Sequence, residues 1–170
     1  MIFYIADPHF GHKKIIEYDK RPFASVSEMN SELIRRWNNK VSKNDIVYCL
    51  GDFAFHMTER EIKELIDSLN GEIRFVAGNH DDLQTYYKLW QDIEVYREIK
   101  DGDRNVVLFH YPITWWNKKD YGAYHIYGHV HDMDGRQLDE PKAFNAFCGY
   151  YDYAPATLDE MIERYKNGTV

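Results

Sequence analysis

A chain of 170 residues can bury roughly 70% of its unfolded surface in one core, and two cysteines 99 positions apart with no CxxC pair give it no disulfide framework. With 28 acidic against 21 basic side chains the net charge is −7, which removes the broad basic field that non-specific duplex binding uses. Mean hydropathy is −0.63 and no apolar run approaches the ~20 residues of a membrane span, so no membrane contact is expected; the unpaired cysteines and the absence of a secretory leader before the first motif read as a reducing, cytoplasmic setting. No linker or repeat divides the sequence, so a single domain over residues 1–170 is expected. In chain order, residues 2–6 form a short run of Ile, Phe and Tyr, the pattern of a buried strand. Ser25 with Glu28 reads as a capping box opening a helix over 26–39, and 46–50 is a second strand. Thr58 with Glu61 opens a helix over 59–69 that Asn70-Gly71 closes, and 73–77 is a third strand. A weaker helix over 82–90 precedes strands at 106–109 and 125–127, with further sheet over 144–153. Thr157 with Glu160 starts a last helix ending at about residue 166. Strands alternating with helices imply an α/β layered fold around a parallel or mixed sheet.

Each of the five main strand candidates runs directly into a polar cluster. Asp7-Pro8-His9 follows the first, Gly51-Asp52 the second, Gly78-Asn79-His80-Asp81 the third, His110 the fourth and Gly128-His129-Val130-His131 the fifth. In α/β sheets the loops at the C-terminal strand ends converge on the ligand crevice. Asp7, His9, Asp52, Asn79, His110, His129 and His131 are therefore candidate metal ligands. Oxygen and nitrogen donors without a thiolate suit Mn²⁺, Fe²⁺, Zn²⁺ or Ni²⁺ rather than structural zinc. Seven ligands are too many for one ion; with Asp52 as a bridge they divide four and four, in the manner of two-metal hydrolases whose ions lie roughly 3.5–4 Å apart. The glycines before Asp52, Asn79 and His129 fit sharp strand exits.

Taken in order, Asp7-x-His9, Gly51-Asp52, Gly78-Asn79-His80-Asp81, His110 and Gly128-His129-x-His131 resemble the signature of the calcineurin-like metallophosphoesterase superfamily, over roughly residues 1 to 155. The stretch Ala6-Asp7-Pro8-His9-Phe10-Gly11-His12 and the segment 145–155 look like a small bacterial and phage branch of predicted phosphoesterases. The resemblance implies a four-layer α/β/β/α sandwich of mixed sheets flanked by helices. It implies two divalent ions, manganese favoured, one held by Asp7, His9, Asp52 and His131 and the other by Asp52, Asn79, His110 and His129. Asp52 and His80 would be catalytic: a hydroxide shared between the ions would attack phosphorus in line, and His80 would approach the scissile phosphate and protonate the leaving oxygen. After Gly51-Asp52 the chain departs from better-characterised branches, reading Phe53-Ala54-Phe55-His56 without the acid or arginine often placed there. Asp81 and Asp82 are then the candidates to orient His80.

Other residues carry weaker signals. His12, beside Lys13-Lys14, and His56, in a loop before Thr58, are candidates to touch substrate, whereas His125 reads as a packed histidine within a strand. Trp115 and Trp116 with Tyr111, Tyr121 and Tyr124 could form a base-stacking wall, with core packing the preferred alternative. Cys49 and Cys148 have no base partner that would make either a nucleophile. The function expected is a metal-dependent phosphoric ester hydrolase, phosphodiesterase favoured, because a small chain leaves little room for a selective cap and suits nucleotides or short oligonucleotides. The alternative is a phosphomonoesterase acting on a nucleotide, phosphoprotein or small metabolite. A non-catalytic metal-binding scaffold of the same fold would show eroded ligands, and none is eroded here.

Overall fold

Two four-stranded sheets face each other in the computed structural model, which describes residues 1–90, 92–132 and 137–168. The first contains β1 (Ile2–Ile5), β2 (Ile46–Cys49), β3 (Glu72–Val76) and β4 (Ile93–Glu94), all parallel and adjacent in that order. The second contains β5 (Tyr96–Asp101), β6 (Arg104–Phe109), β7 (Tyr124–Tyr127) and β8 (Ala143–Asn145). Here β5 and β6 form an antiparallel hairpin across Gly102-Asp103, and the other pairs are parallel. The helices are α1 (Lys13–Tyr18), α2 (Val26–Lys40), α3 (Glu59–Ser68), α4 (Leu83–Leu89) and α5 (Leu158–Lys166).

Burial explains why the central strands read as unbroken apolar runs. Phe3, Ile5, Val47, Cys49, Ile73 and Phe75 turn towards Met29, Leu33 and Trp37 of α2, Ile62 and Leu65 of α3, and Tyr86 of α4. The alternate residues Tyr4, Tyr48 and Val76 face inward, where they meet Val106, Leu108, Ile126 and Phe144 of the second sheet. A strand covered on both faces has no polar side to show. The outer face of the second sheet buries Val107, Tyr127 and Ala143 under Trp116, Ala123 and Val130, so a 3₁₀ turn at Lys119–Tyr121 and its flanking loops make the fourth layer.

The two sheets are joined at their β1 and β8 edges. Ala6 N–H donates to Ala146 O (2.8 Å), Cys148 N–H to Ala6 O (3.0 Å), and Tyr4 exchanges both backbone bonds with Ala156. Leu158 and Met161 of α5 bury themselves in the core between the sheets. This seam aligns the C-terminal ends of β1, β2, β3, β6 and β7 along one edge.

Thr58 with Glu61 and Thr157 with Glu160 form complete capping boxes. At α2 the box is half made: Ser25 Oγ accepts from Glu28 N–H, but the Glu28 carboxylate accepts from Ala24 N–H, one residue before the cap. The sheet expected over 144–153 stops at Asn145, whose side-chain oxygen accepts from Phe147 N–H (2.9 Å) and turns the chain into a 3₁₀ turn at Cys148–Tyr151. Among the described residues no helix is long and apolar enough to cross a membrane.

Candidate metal centre

Five strand exits meet at the aligned edge, and close backbone approach sets their shape. Gly51 has φ +88°, and a Cβ there would lie 2.5 Å from Gly78 Cα and 2.7 Å from His110 Nδ1. A Cβ on Gly128 would lie 2.5 Å from Ala6 Cβ and 2.6 Å from Asp7 Oδ2. Five of the seven candidate ligands occupy the left-handed region: Asp7 (φ 56°), His9 (51°), Asp52 (52°), His129 (68°) and His131 (44°). Each such residue costs roughly 1–2 kcal/mol, so backbone strain is concentrated where these side chains converge.

The resulting geometry is tight. His9 Nε2 lies 3.3 Å from His131 Nε2 and 3.7 Å from Asp52 Oδ2. His131 Nε2 lies 3.4 Å from Asp7 Oδ1. On the other side, His110 Nε2 is 3.0 Å from Asn79 Oδ1 and 3.7 Å from Asp52 Oδ2, and His129 Nδ1 is 2.8 Å from Asn79 Oδ1. Asp7, His9 and His131 form one group able to hold an ion, and Asp7, Asp52 and His110 another, all buried. Two donors on one ion with bonds of about 2.0–2.2 Å sit roughly 3–3.6 Å apart, close to these separations.

Hydrogen bonding fixes which nitrogen points inward. His110 Nδ1–H donates to Leu50 O (2.7 Å), so in the neutral ring Nε2 is a bare acceptor facing the oxygens of Asn79 and Asp52. Acceptors turned on one another without a hydrogen between them are what a cation reconciles. His131 Nδ1–H donates to Asp19 Oδ1 (2.8 Å), which turns its Nε2 towards His9 and Asp7. Asp19 is itself gripped by Arg21 through Nε and Nη2 (3.0 and 2.9 Å), and Arg21 also donates to Pro8 O (2.7 Å) and Asp7 O (2.9 Å). Asn145 Nδ2 holds His131 O (2.9 Å). Asp19, Arg21 and Asn145 are supports that sequence motifs do not mark.

The charges follow from burial. Burial, with the neighbouring cations of His131 and Arg21, pushes His9 down to about 2, so its ring stays neutral with a lone pair available. Burial also lowers His131, but Asp19 and Asp7 overcome it and raise the ring to about 9. Burial pushes the Asp52 carboxyl up, His110 pulls it back and the Asp7 charge adds to the rise. Asp81, raised to about 6 chiefly by burial, does not orient His80: its carboxylate accepts from Asp52 N–H (2.8 Å), Phe53 N–H (3.0 Å) and Gly78 N–H (2.7 Å). Asp82 caps α4 by accepting from Gln84 N–H. The missing orienting carboxylate is thus a brace between the β2 and β3 exits.

His80 stands exposed at the rim, its backbone N–H donated to Asp52 Oδ1 (2.9 Å) and its ring 6.0 Å from that of His9. The cleft around it takes in His12 and His56, together with Lys13, Lys14, Tyr18 and Phe55. His125 is fully buried, its Nδ1–H donating to Val107 O and its Nε2 accepting from Ile113 N–H. The aromatic wall is not a unit: Trp116 is core, donating to Ala123 O, Trp115 and Tyr121 are 67% and 88% exposed, Tyr124 stacks on Phe144, and Tyr111 packs tilted against His129, at 4.5 Å. Both cysteines are buried free thiols, and burial raises Cys148 to about 12.

Residues 1–146 match the family model described as the calcineurin-like phosphoesterase superfamily domain. An uncharacterised protein of Methanocaldococcus jannaschii is 35% identical over 174 residues, covering 99% of this chain and 93% of its own length. The Gene 66 protein of Mycobacterium phage L5 is 27% identical over 158 residues, 75% of this chain and 76% of its own. Among solved structures, a protein of unknown function from Aquifex aeolicus superposes with a TM-score of 0.74 at 25% identity, covering 100% of this chain and 99% of its own. A phosphoesterase fold carrying this donor cluster, matched over most of its length, places the chain in the calcineurin-like phosphoesterase superfamily.

Proposed function

We propose that this chain is a single-domain, dinuclear metal-dependent phosphoesterase that favours phosphodiesters of nucleotide type. Asp7, His9, Asp52 and His131 would hold one divalent ion, and Asp52, Asn79, His110 and His129 the other. The observation that carries this reading is the position of Asp52 Oδ2, 3.7 Å from both His9 Nε2 and His110 Nε2, as a ligand shared between two donor sets would be. Manganese is favoured, and Fe²⁺, Zn²⁺ or Ni²⁺ suit the same donors. The buried free thiols of Cys49 and Cys148 fit a reducing, cytoplasmic setting.

When bound, the two ions supply an activated water and neutralise charge on the phosphate oxygens. The chain's own residues set up that chemistry. His110 and His131 commit their Nδ1 protons to Leu50 O and Asp19, leaving Nε2 inward. Asp7 is fixed by accepting from His129 N–H through both oxygens (3.2 and 3.0 Å). His80, tied to Asp52 by its backbone and with a ring that makes no hydrogen bond among the described residues, reaches the substrate side of the centre and hands a proton to the leaving oxygen.

Chelator-stripped protein given Mn²⁺ should hydrolyse bis-p-nitrophenyl phosphate faster than p-nitrophenyl phosphate, and Asp52→Asn should hydrolyse neither. Preference for the monoester would make the protein a phosphomonoesterase, and no turnover with no ions bound would make it a scaffold. His80→Ala should slow esters of alkyl alcohols by about 10²–10⁴-fold while sparing p-nitrophenyl esters, which leave without protonation. Equal loss on both would remove the acid role of His80.

A further inference from the structure

The cleft does not end at the candidate ligands. It continues towards α1, lined by His12, Lys13, Lys14 and Tyr18 together with Phe55 and His56. Lys13 and Lys14 are exposed, and among the described residues neither makes an ion pair, although the chain carries a net charge of −7. The acidic groups that share this cleft are already engaged: Asp19 with Arg21 and His131, Asp52 with His9 and His110. Two unspent positive charges therefore stand beside a centre built to receive a phosphate.

Aromatic surface lies next to them. The His12 ring stacks on Phe55 at 4.2 Å with 29° between planes, His56 meets Phe55 edge-on at 4.3 Å, and Tyr18 meets His12 edge-on at 6.5 Å. His12 occupies the N-cap position of α1 but makes no side-chain cap, and among the described residues its buried Nδ1 has no hydrogen-bond partner. His56 sits in a left-handed backbone conformation (φ 55°), the strained geometry that concentrates at binding loops.

We propose that this arm of the cleft is a subsite for a nucleoside bearing a second phosphate, Lys13 and Lys14 taking the phosphate that is not cleaved and the His12–Phe55 stack taking the base. The inference rests on the phosphodiesterase reading above and narrows its substrate class to nucleotidic esters with at least two phosphates. Two local lysines and a stacking surface suit a short single strand, whereas the acidic remainder of the surface disfavours a long duplex.

The test is calorimetric binding of thymidine 3′,5′-bisphosphate and thymidine 5′-monophosphate to the Mn²⁺-loaded protein. The bisphosphate should bind about tenfold more tightly at low salt, and the advantage should shrink as salt rises. Lys13→Ala with Lys14→Ala should bring the ratio of the two affinities close to one. Lys43→Ala, at the opposite edge of the first sheet, should leave the ratio as it is. Phe55→Ala should weaken the bisphosphate towards the affinity of propane-1,3-diyl bisphosphate, which has no base. Equal affinities in the wild type, or a ratio that survives the double substitution, would overturn the subsite. Turnover of bis-p-nitrophenyl phosphate by the same preparation separates the two readings: its absence counts against the phosphoesterase assignment, and its presence with a ratio of one counts against the subsite alone.

Discussion

Asp52 carries two opposed demands. It is buried and stands beside Asp7, so its ionised carboxylate costs the fold stability in the absence of a cation. Asp52→Asn keeps an oxygen for His80 N–H and removes one charge. The metal-free variant should therefore be more stable than the wild type at neutral pH, measured by urea denaturation, while metal-dependent turnover is lost. A metal-free variant less stable than the wild type would show that Asp52 is a structural residue first. Asp19 poses the opposite case, since it acts on the centre through His131. Asp19→Ala should weaken Mn²⁺ binding by about 10–100-fold, with partial rescue in Asp19→Asn, which keeps an acceptor for the His131 Nδ1 proton; calorimetric titration gives both values, and unchanged affinity would contradict the positioning role. Nothing in Asp19-Lys20-Arg21 as a sequence announces it. The triplet reads as a charged surface turn, and its meaning lies in a contact 112 residues away.

At the scale of elements, β7 carries a histidine that titrates with folding. His125 is held near 4 chiefly by burial, against an ordinary value of 6.5. The folded state keeps the ring neutral, while the unfolded chain takes up a proton below pH 6.5. Stability should then be fully present above pH 6.5 and fall as the pH drops towards 4, by as much as roughly 3 kcal/mol. Urea midpoints between pH 7 and 4 should fall more steeply for the wild type than for His125→Gln, and parallel curves would contradict the assignment. Elements that expose one face were harder to read than this one. β1, β2 and β3 were legible because burial on both sides makes them continuous apolar runs, and α3 and α5 because their capping boxes are written in the chain. β5 was not legible: Tyr96–Asp101 is charged and mostly uncovered, and its place is set by backbone pairing to β6. α1 has six residues and no capping side chain. Over 144–153 the density of Phe and Tyr suggested strand, but the Asn145 side chain captures Phe147 N–H and bends the chain.

For the molecule as a whole, the seam between β1 and β8 makes a site possible. It brings two sheets to one edge, so that loops from residue 7 to residue 131 share a space that no short segment could build. The strand exits and their polar residues were legible in order, because each motif follows its own strand. The supports behind them, Asp19, Arg21, Asp81 and Asn145, were not, because each acts across the fold on backbone or on another side chain. A cluster that gathers strain, two buried carboxylates and bare histidine nitrogens stores instability that bound cations would repay. The most direct test is a crystal of the protein soaked in Mn²⁺, with anomalous diffraction recorded at the manganese edge. Two peaks per chain roughly 3.5–4 Å apart, with the Asp52 carboxylate between them, are expected. A single peak, or two peaks that do not share Asp52, would contradict the Asp52-bridged dinuclear centre.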